Sequence, residues 1–303
     1  MSLVELLAAL MLAYYRPLPR EDWLRHPFTP YANWLERNFN DGQARHGAIA
    51  ALLAVLLPVL SVAVAYLILS ETNPLFGMLA SIGVLYLTLR FGRFGAPAER
   101  IAHALSEQNL EGARAELAMW QSCQTETYTD REVAKSGIEA TLRHAHHDLI
   151  APLFWFVLLG PAGALMYRLA YLLKNAWSEQ HPDFRRFSQQ LFDWLDWLPA
   201  RFTASCFAVV GDFEDAVYCW RTQASLWPNE AIGIILASGA GALGVRLGEP
   251  LTCNGMLQYR PELGLGDEAD ADYLRSAVGL VWRVLVLVTG LLLLLTFAHW
   301  LGN

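Results

Sequence analysis

Ala48–Leu69 reads AIAALLAVLLPVLSVAVAYLIL, 22 residues without a charge. As a helix, a run of that length matches a hydrocarbon core about 30 Å thick. Pro58 inside it predicts a kink. Glu71-Thr72-Asn73-Pro74 then reads as a tight turn, and Leu75 to Leu89 as a slightly short return that ends at Arg90. The turn holds no Lys or Arg, whereas residues 16–47 hold five and residues 90–149 hold seven. The positive-inside rule therefore places both flanks in the cytoplasm and the turn outside.

Composition agrees with a membrane reading. The 303 residues are 54% hydrophobic and 17% charged, below the roughly 25% charge of ordinary soluble proteins. The 11 Trp residues suit a membrane interface. A net charge of −7 argues against a nucleic-acid partner. Cys123, Cys206, Cys219 and Cys253 form no CxxC pair, and isolated thiols in packed positions are expected. The apolar start lacks a basic n-region and a small-residue cleavage site, so no cleavable signal peptide is expected.

Ser2–Tyr15 is apolar but short and carries Glu5, which fits a short or re-entrant helix, or a helix packed among others, ended by Arg16-Pro17-Leu18-Pro19-Arg20. Pro30–Asn40 reads as an interfacial amphipathic helix, with Tyr31, Trp34, Leu35 and Phe39 on one side. Residues 90–149 read as soluble helices, one of them running from Pro97 to Trp120 and another starting at an Asp130 cap. Ile150–Leu173 is apolar but interrupted by Gly160-Pro161-Ala162-Gly163, which predicts a broken helix. Trp194–Gly211 is apolar yet carries Asp196 and Arg201; Ala277–Leu301 is the last span. The fold class is an all-α polytopic membrane bundle of four to six spans, treated as one domain over 1–303. Its helical or loop regions at 90–149 and 212–276 are expected to be cytoplasmic.

Three constellations bear on chemistry. His144 and His147, with Asp148, share a helix face and fit a metal site, an acid/base cluster or a solvated group beside the membrane. Asp193 and Asp196 are spaced to hold Mg²⁺ against nucleotide phosphates, or to end an aromatic-belt helix in headgroup water. The stretch from Ala231 to Gly266 begins with small residues, Ser238 to Gly244, and then becomes charged at Arg246, Glu249, Arg260 and Glu262. Its first part suits tight helix packing and its second an anionic ligand. Asp212 fits a helix N-cap. There is no P-loop, and the GAGALG glycines lack the spacing of a dinucleotide fingerprint.

Together, Leu117–Trp120, APLFWFVLLGPAGALMYRL (151–169), LDWLPARF (195–202), CWRTQ (219–223), ASGAGALGVRLGEP (237–250) and RPELGLGDEADADYLRSA (260–277) resemble the CobD/CbiB family of cobalamin-biosynthesis membrane proteins. His26-Pro27 resembles the family's early element. The resemblance implies an inner-membrane protein of the adenosylcobinamide-phosphate synthase type. Such an enzyme uses ATP and Mg²⁺ to form an amide between adenosylcobyric acid and aminopropanol or its phosphate. Carried onto this chain, it implies Asp193, Asp196, Arg201 and Arg246 as catalytic residues. Trp220, Arg221, Gly239, Gly241, Glu249, Arg260 and Glu262 are implied to bind ligand. Expected partners are membrane lipid, a corrinoid or other anionic small molecule, and other cobalamin-assembly enzymes. The central third departs from the family pattern at Gln121-Ser122-Cys123, Arg143–Leu149, Tyr171–Lys174 and Phe192-Asp193. In the spacing from Cys123 to Asp130-Arg131-Glu132 and the acid-poor run into Ala151-Pro152-Leu153-Phe154-Trp155, the central third is more similar to AmpE, a related membrane protein associated with β-lactamase regulation. The alternative is a non-catalytic regulator or scaffold that keeps the fold.

Overall fold

The computed structural model describes residues 3–18, 23–40, 44–177 and 181–302. Pro19 and Arg20 of the expected N-terminal break lie outside them. Among the described residues, four helical stretches are long and apolar enough to cross a membrane: Arg45–Thr72, Pro74–Ser106, Asp130–Ala176 and Ala271–Ala298. The protein is an all-α polytopic membrane protein. It forms two compact units, residues 1–91 with 148–199, and residues 92–147 with 200–303.

The first unit contains α1 (Leu3–Tyr15), α2 (Arg25–Phe39), α3 (Ala44–Thr72) and α4 (Pro74–Thr88). α8 (Ala151–Ala176) also belongs to it, as does α9 (Pro182–Val210) through Pro199. α3 runs through Pro58 as one helix. Its Ala50, Ala51 and Ala54 are fully buried, because small side chains let helices approach closely. Leu53, Leu57, Leu60, Val64 and Leu67 are exposed at helical spacing, the face such a helix would turn to lipid. Gly47 sits where an added Cβ would lie 2.4 Å from the carbonyl oxygen of Phe184, so α3 meets α9 backbone to backbone. Asn73 caps α4 by accepting from the Leu75 amide, as the tight turn before Pro74 requires. In α8, Gly160 is non-helical at φ 73°, ψ −161°, the break expected there. In α2, Phe28, Ala32 and Leu35 are buried while Trp34 is exposed, so Trp34 and Leu35 do not share the one side expected of them.

The second unit holds α5 (Gly95–Ser106), α6 (Leu110–Gln121), α7 (Asp130–Ala145), α10 (Phe213–Gln223), α11 (Glu230–Leu243) and α12 (Ala271–Gly302). The single helix expected from Pro97 to Trp120 is two, because Asn109 caps a new one by accepting from the Gly112 amide. The cap of α7 is Thr129, one residue before the expected Asp130. Glu132 reaches back to the Thr129 amide at 2.7 Å and completes a capping box. α7 is buried from Val133 to Leu142, so it is a core helix and not the soluble one expected. Trp194–Gly211 is not a separate span but the later part of α9.

Glycines bring the helices of this unit together. Gly239 of α11 packs on the Leu142 methyls of α7, and Gly241 on the Asp215 carbonyl of α10. Asp212 caps α10 as expected, accepting from the Asp215 amide at 3.0 Å. After α11 the chain forms four short strands that no sequence pattern announced. β1 (Val245–Arg246) pairs in parallel with β4 (Asp267–Glu268), and Leu247 bridges Leu263. β2 (Leu251–Cys253) and β3 (Met256–Gln258) form an antiparallel hairpin. Cys123 and Cys253 are joined by a disulfide, which corrects the expectation of isolated thiols; Cys206 and Cys219 are free and buried.

Candidate functional site

Two concentrations of charge stand out, one in each unit. In the second unit, α7 presents Lys135 and Glu139, one helical turn apart, to the loop between α11 and α12. Both are almost fully buried, at 3% and 2% exposure. Charges at such depth are retained only when paired. Lys135 Nζ lies 2.7 Å from Glu249 Oε2 and 3.5 Å from Glu268 Oε2. Glu139 accepts from the Gly248 amide at 3.0 Å through one oxygen and from the Arg260 guanidinium through the other. Arg260 also donates to the Glu249 carbonyl at 3.1 Å. Arg246 donates to Glu268 at 2.5 Å and lies 3.9 Å from Glu262. The group has three cations and four carboxylates. Arg246 Nε is buried without an acceptor.

Loop geometry explains the glycines in this stretch. Gly248 has φ +82°, and a Cβ there would lie 2.0 Å from the Pro261 carbonyl oxygen. Gly264 has φ +86°, with the Val245 carbonyl oxygen 2.1 Å from the position a Cβ would take. Only glycine allows RLGEP and RPELGLG to lie against each other this closely. Gln223, the last residue of CWRTQ, clamps the second segment by accepting from the Gly264 amide at 2.6 Å and donating to its carbonyl at 3.2 Å. Tyr128, just before α7, has its phenol pKa raised by burial, with Arg260 opposing the shift.

In the first unit the charges lie inside the helices. Asp148 and Arg168 pair at 2.8 Å with 1% and 0% exposure. Tyr167 donates to Asp196 at 2.7 Å, and Asp196 is also buried.

The residues singled out from sequence are thus distributed unevenly. Arg246, Glu249, Arg260 and Glu262 come together in the network around α7. Trp220 is half-buried and Arg221 exposed on α10, and neither belongs to that network. Gly239 and Gly241 are occupied by helix packing. Asp193 and Asp196 do not form a carboxylate pair: Asp193 is exposed and lies 3.4 Å from Lys174, whereas Asp196 is buried. Arg201 pairs with Glu230 at 3.0 Å. His144 stacks on Trp120 with ring centroids 5.6 Å apart, His147 packs edge-on to His146, and Asp148 pairs with Arg168. Sequence reasoning passed over Lys135, Glu139, Arg168, Gln223 and Glu268. For Arg168 the signal was available, since a lone cation inside an apolar helix calls for a buried partner.

The model of a family described as CobD/Cbib protein matches residues 6–281. A protein of Stutzerimonas stutzeri named "Cobalamin biosynthesis protein CobD" is 37% identical over 91% of this chain and 92% of its own length. One of the same name from Chromobacterium violaceum is 33% identical over 80% of each chain. Another, from Halalkalibacterium halodurans, is 27% identical over 82% of each. No solved structure matches.

Proposed function

Because the chain belongs to the CobD/Cbib family, we propose that it is a cobalamin-biosynthesis membrane protein whose reaction is ATP-dependent amide formation. The acid is the carboxylate of adenosylcobyric acid; the amine is aminopropanol or its phosphate. The proposed location is the bacterial inner membrane, with residues 16–47, 90–149 and 212–276 on the cytoplasmic side, where ATP is available.

One observation carries the assignment of a site: the three-cation, four-carboxylate network between α7 and the loop. Its Arg246 keeps a buried N–H without an acceptor, suited to an anionic oxygen. A carboxylate and an amine do not condense in water without activation. In the proposed sequence a carboxylate oxygen of the corrinoid attacks the γ-phosphorus of ATP, and the bond to ADP breaks. The amine nitrogen then attacks the carbonyl carbon of the resulting acyl phosphate, inorganic phosphate leaves, and the ammonium proton passes to a base. Arg246 and Arg260 suit the phosphate oxygens because a guanidinium offers two parallel donors. Glu249, Glu262 and Glu268 are oxygen donors of the kind Mg²⁺ takes, and the ion, when bound, would neutralise phosphate charge. Each acid is now opposite a Lys or Arg, so phosphate binding would exchange partners: the cations to the nucleotide, the acids to the metal. Glu249 and Glu262 are about half exposed and can take the amine proton.

The test is conversion of adenosylcobyric acid by the purified protein in detergent, with ATP, Mg²⁺ and each amine, read by mass spectrometry. Product that requires ATP, and falls at least tenfold in Arg246→Ala, is the expected result. No product with either amine would overturn the reaction. Full activity in Arg246→Ala would overturn the site.

A further inference from the structure

We propose that the Cys123–Cys253 disulfide is a reversible redox tether for the β2–β3 hairpin, opened by a small dithiol that enters beside Cys123. The inference goes beyond the proposed reaction and does not rest on it. The two cysteines are 130 residues apart in sequence, and their Cα atoms lie 5.7 Å apart, a separation a disulfide readily bridges. Cys123 follows α6, whereas Cys253 ends β2, so the bond ties the hairpin to the helical body of the second unit.

Beyond the ion pairs at its base, little else holds the hairpin there. Leu251 is its buried side chain, while Met256, Leu257 and Tyr259 are 69%, 71% and 79% exposed. Among the described residues, the remaining polar link from the hairpin turn to the helical body runs from the Gln124 amide to Asn254 Oδ1, at 3.1 Å. A segment with so few buried contacts opens locally at small free-energy cost once its covalent tie is removed. The base of the hairpin carries Glu249 and Arg260, the partners of Lys135 and Glu139 on α7. Opening the tether would therefore loosen one wall of the charged network.

Access is provided by a surface cleft of about 430 Å³ lined by Arg114, Ser122, Cys123, Gln124 and Asn254. Cys123 is itself only 7% exposed but lines the cleft, whereas Cys206 and Cys219 are buried away from it, and burial pushes the Cys219 thiol up to about 11, so it stays protonated near neutral pH. Exchange is thereby confined to one pair. A thiolate of the dithiol attacks one sulfur, the S–S bond breaks, and the other cysteine leaves as a thiolate that takes a proton. The second thiol of the reagent attacks the mixed disulfide. The reagent is left as a cyclic disulfide and the protein with two thiols. Two electrons pass from reagent to protein, and oxidised glutathione reverses the transfer.

The experiment uses the full chain in detergent, equilibrated with oxidised glutathione and then treated with dithiothreitol. Maleimide labelling with peptide mass spectrometry reads the thiols, and chymotrypsin cleavage at Leu257 and Tyr259 reads the hairpin. Dithiothreitol should make Cys123 and Cys253 labelled while Cys206 and Cys219 stay unlabelled. It should also raise cleavage by on the order of tenfold, as local opening predicts. Returning the protein to oxidised glutathione should reverse both changes. Cys253→Ser, a change at a half-exposed hairpin position, should cleave fast with or without dithiothreitol. Labelling of both cysteines in oxidised glutathione, equal cleavage before and after reduction, or slow cleavage of Cys253→Ser would each overturn the tether.

Discussion

Arg168 and Asp148 of the first unit are 0% and 1% exposed, whereas Arg246 and Glu268 of the second keep 41% and 35%. The first pair sits among fully packed helices, and every group taken from water there must be satisfied by the protein. The second lies in a loop where carboxylates outnumber cations and solvent reaches several members. The physical consequences diverge. A buried pair holds its partners in one arrangement, because separating them strands a charge. In the network, Lys135 and Glu139 stay buried while Arg246, Glu249 and Glu262 reach solvent, and these exposed members can trade partners with an arriving ligand because water compensates each intermediate arrangement. On the proposed reading, the first unit's charges secure the fold and the second unit's form the ligand site.

The sharpest way to break that contrast is Arg168→Leu. It leaves the Asp148 carboxylate buried without its cation, and about 3–5 kcal/mol of stability should be lost. Thermal and denaturant unfolding in detergent would measure it. The double variant Asp148→Leu with Arg168→Leu should recover most of the loss, because neither charge is then stranded. A single-variant loss below about 1 kcal/mol would show that the pair is not the anchor its burial implies.

Glu139→Gln comes next. It keeps the Gly248 amide contact but weakens the charge-assisted bond to Arg260, and about 1.5–3 kcal/mol is expected from that bond. Product formation should fall further than stability does, since Arg260 would lose its position. An equal loss in both would make Glu139 purely structural.

How much of this was legible beforehand depends on whether the partners are near in sequence. The span Ala48–Leu69, the turn at Asn73, the Gly160 break and the Asp212 cap are local patterns, and each stands in the structure. The disulfide and the ion pairs of Lys135 and Glu139 join residues more than 100 positions apart. No spacing rule reaches that far. The glycines show a subtler limit. Gly239, Gly248 and Gly264 read alike in sequence, since each lacks a side chain. What each admits is a neighbouring side chain or a carbonyl, and only the folded loop distinguishes these from a ligand. Burial of α7 was missed because Lys135 and Glu139 gave it a soluble appearance, and their partners lie in the distant loop.

Gly248→Ala tests the loop without touching a charge. With φ +82° and the Pro261 carbonyl so close, alanine should cost about 2 kcal/mol and displace Glu249 with it. The unfolding midpoint should drop and ATP-dependent product should fall with it. An alanine variant of unchanged stability would mean that the two segments can separate freely, and the network would then lack a defined wall.

The smallest effect is expected at Asp193, and it separates two readings of one helix. Asp193 and Asp196 are three residues apart on α9, the spacing that suggested a shared metal. Yet one is exposed beside Lys174 at 3.4 Å and the other is buried with the Tyr167 hydroxyl. An exposed pair of that kind contributes about 0–1 kcal/mol. Asp193→Asn should therefore shift stability by no more than about 0.5 kcal/mol and leave product formation within twofold. Asp196→Asn changes a buried acceptor and should lower stability by more. A tenfold loss of product in Asp193→Asn, with stability intact, would return that carboxylate to the chemistry its spacing suggested. The contrast between an anchoring unit and a binding unit would then fail at α9, where an exposed charge of the first unit would be acting on substrate.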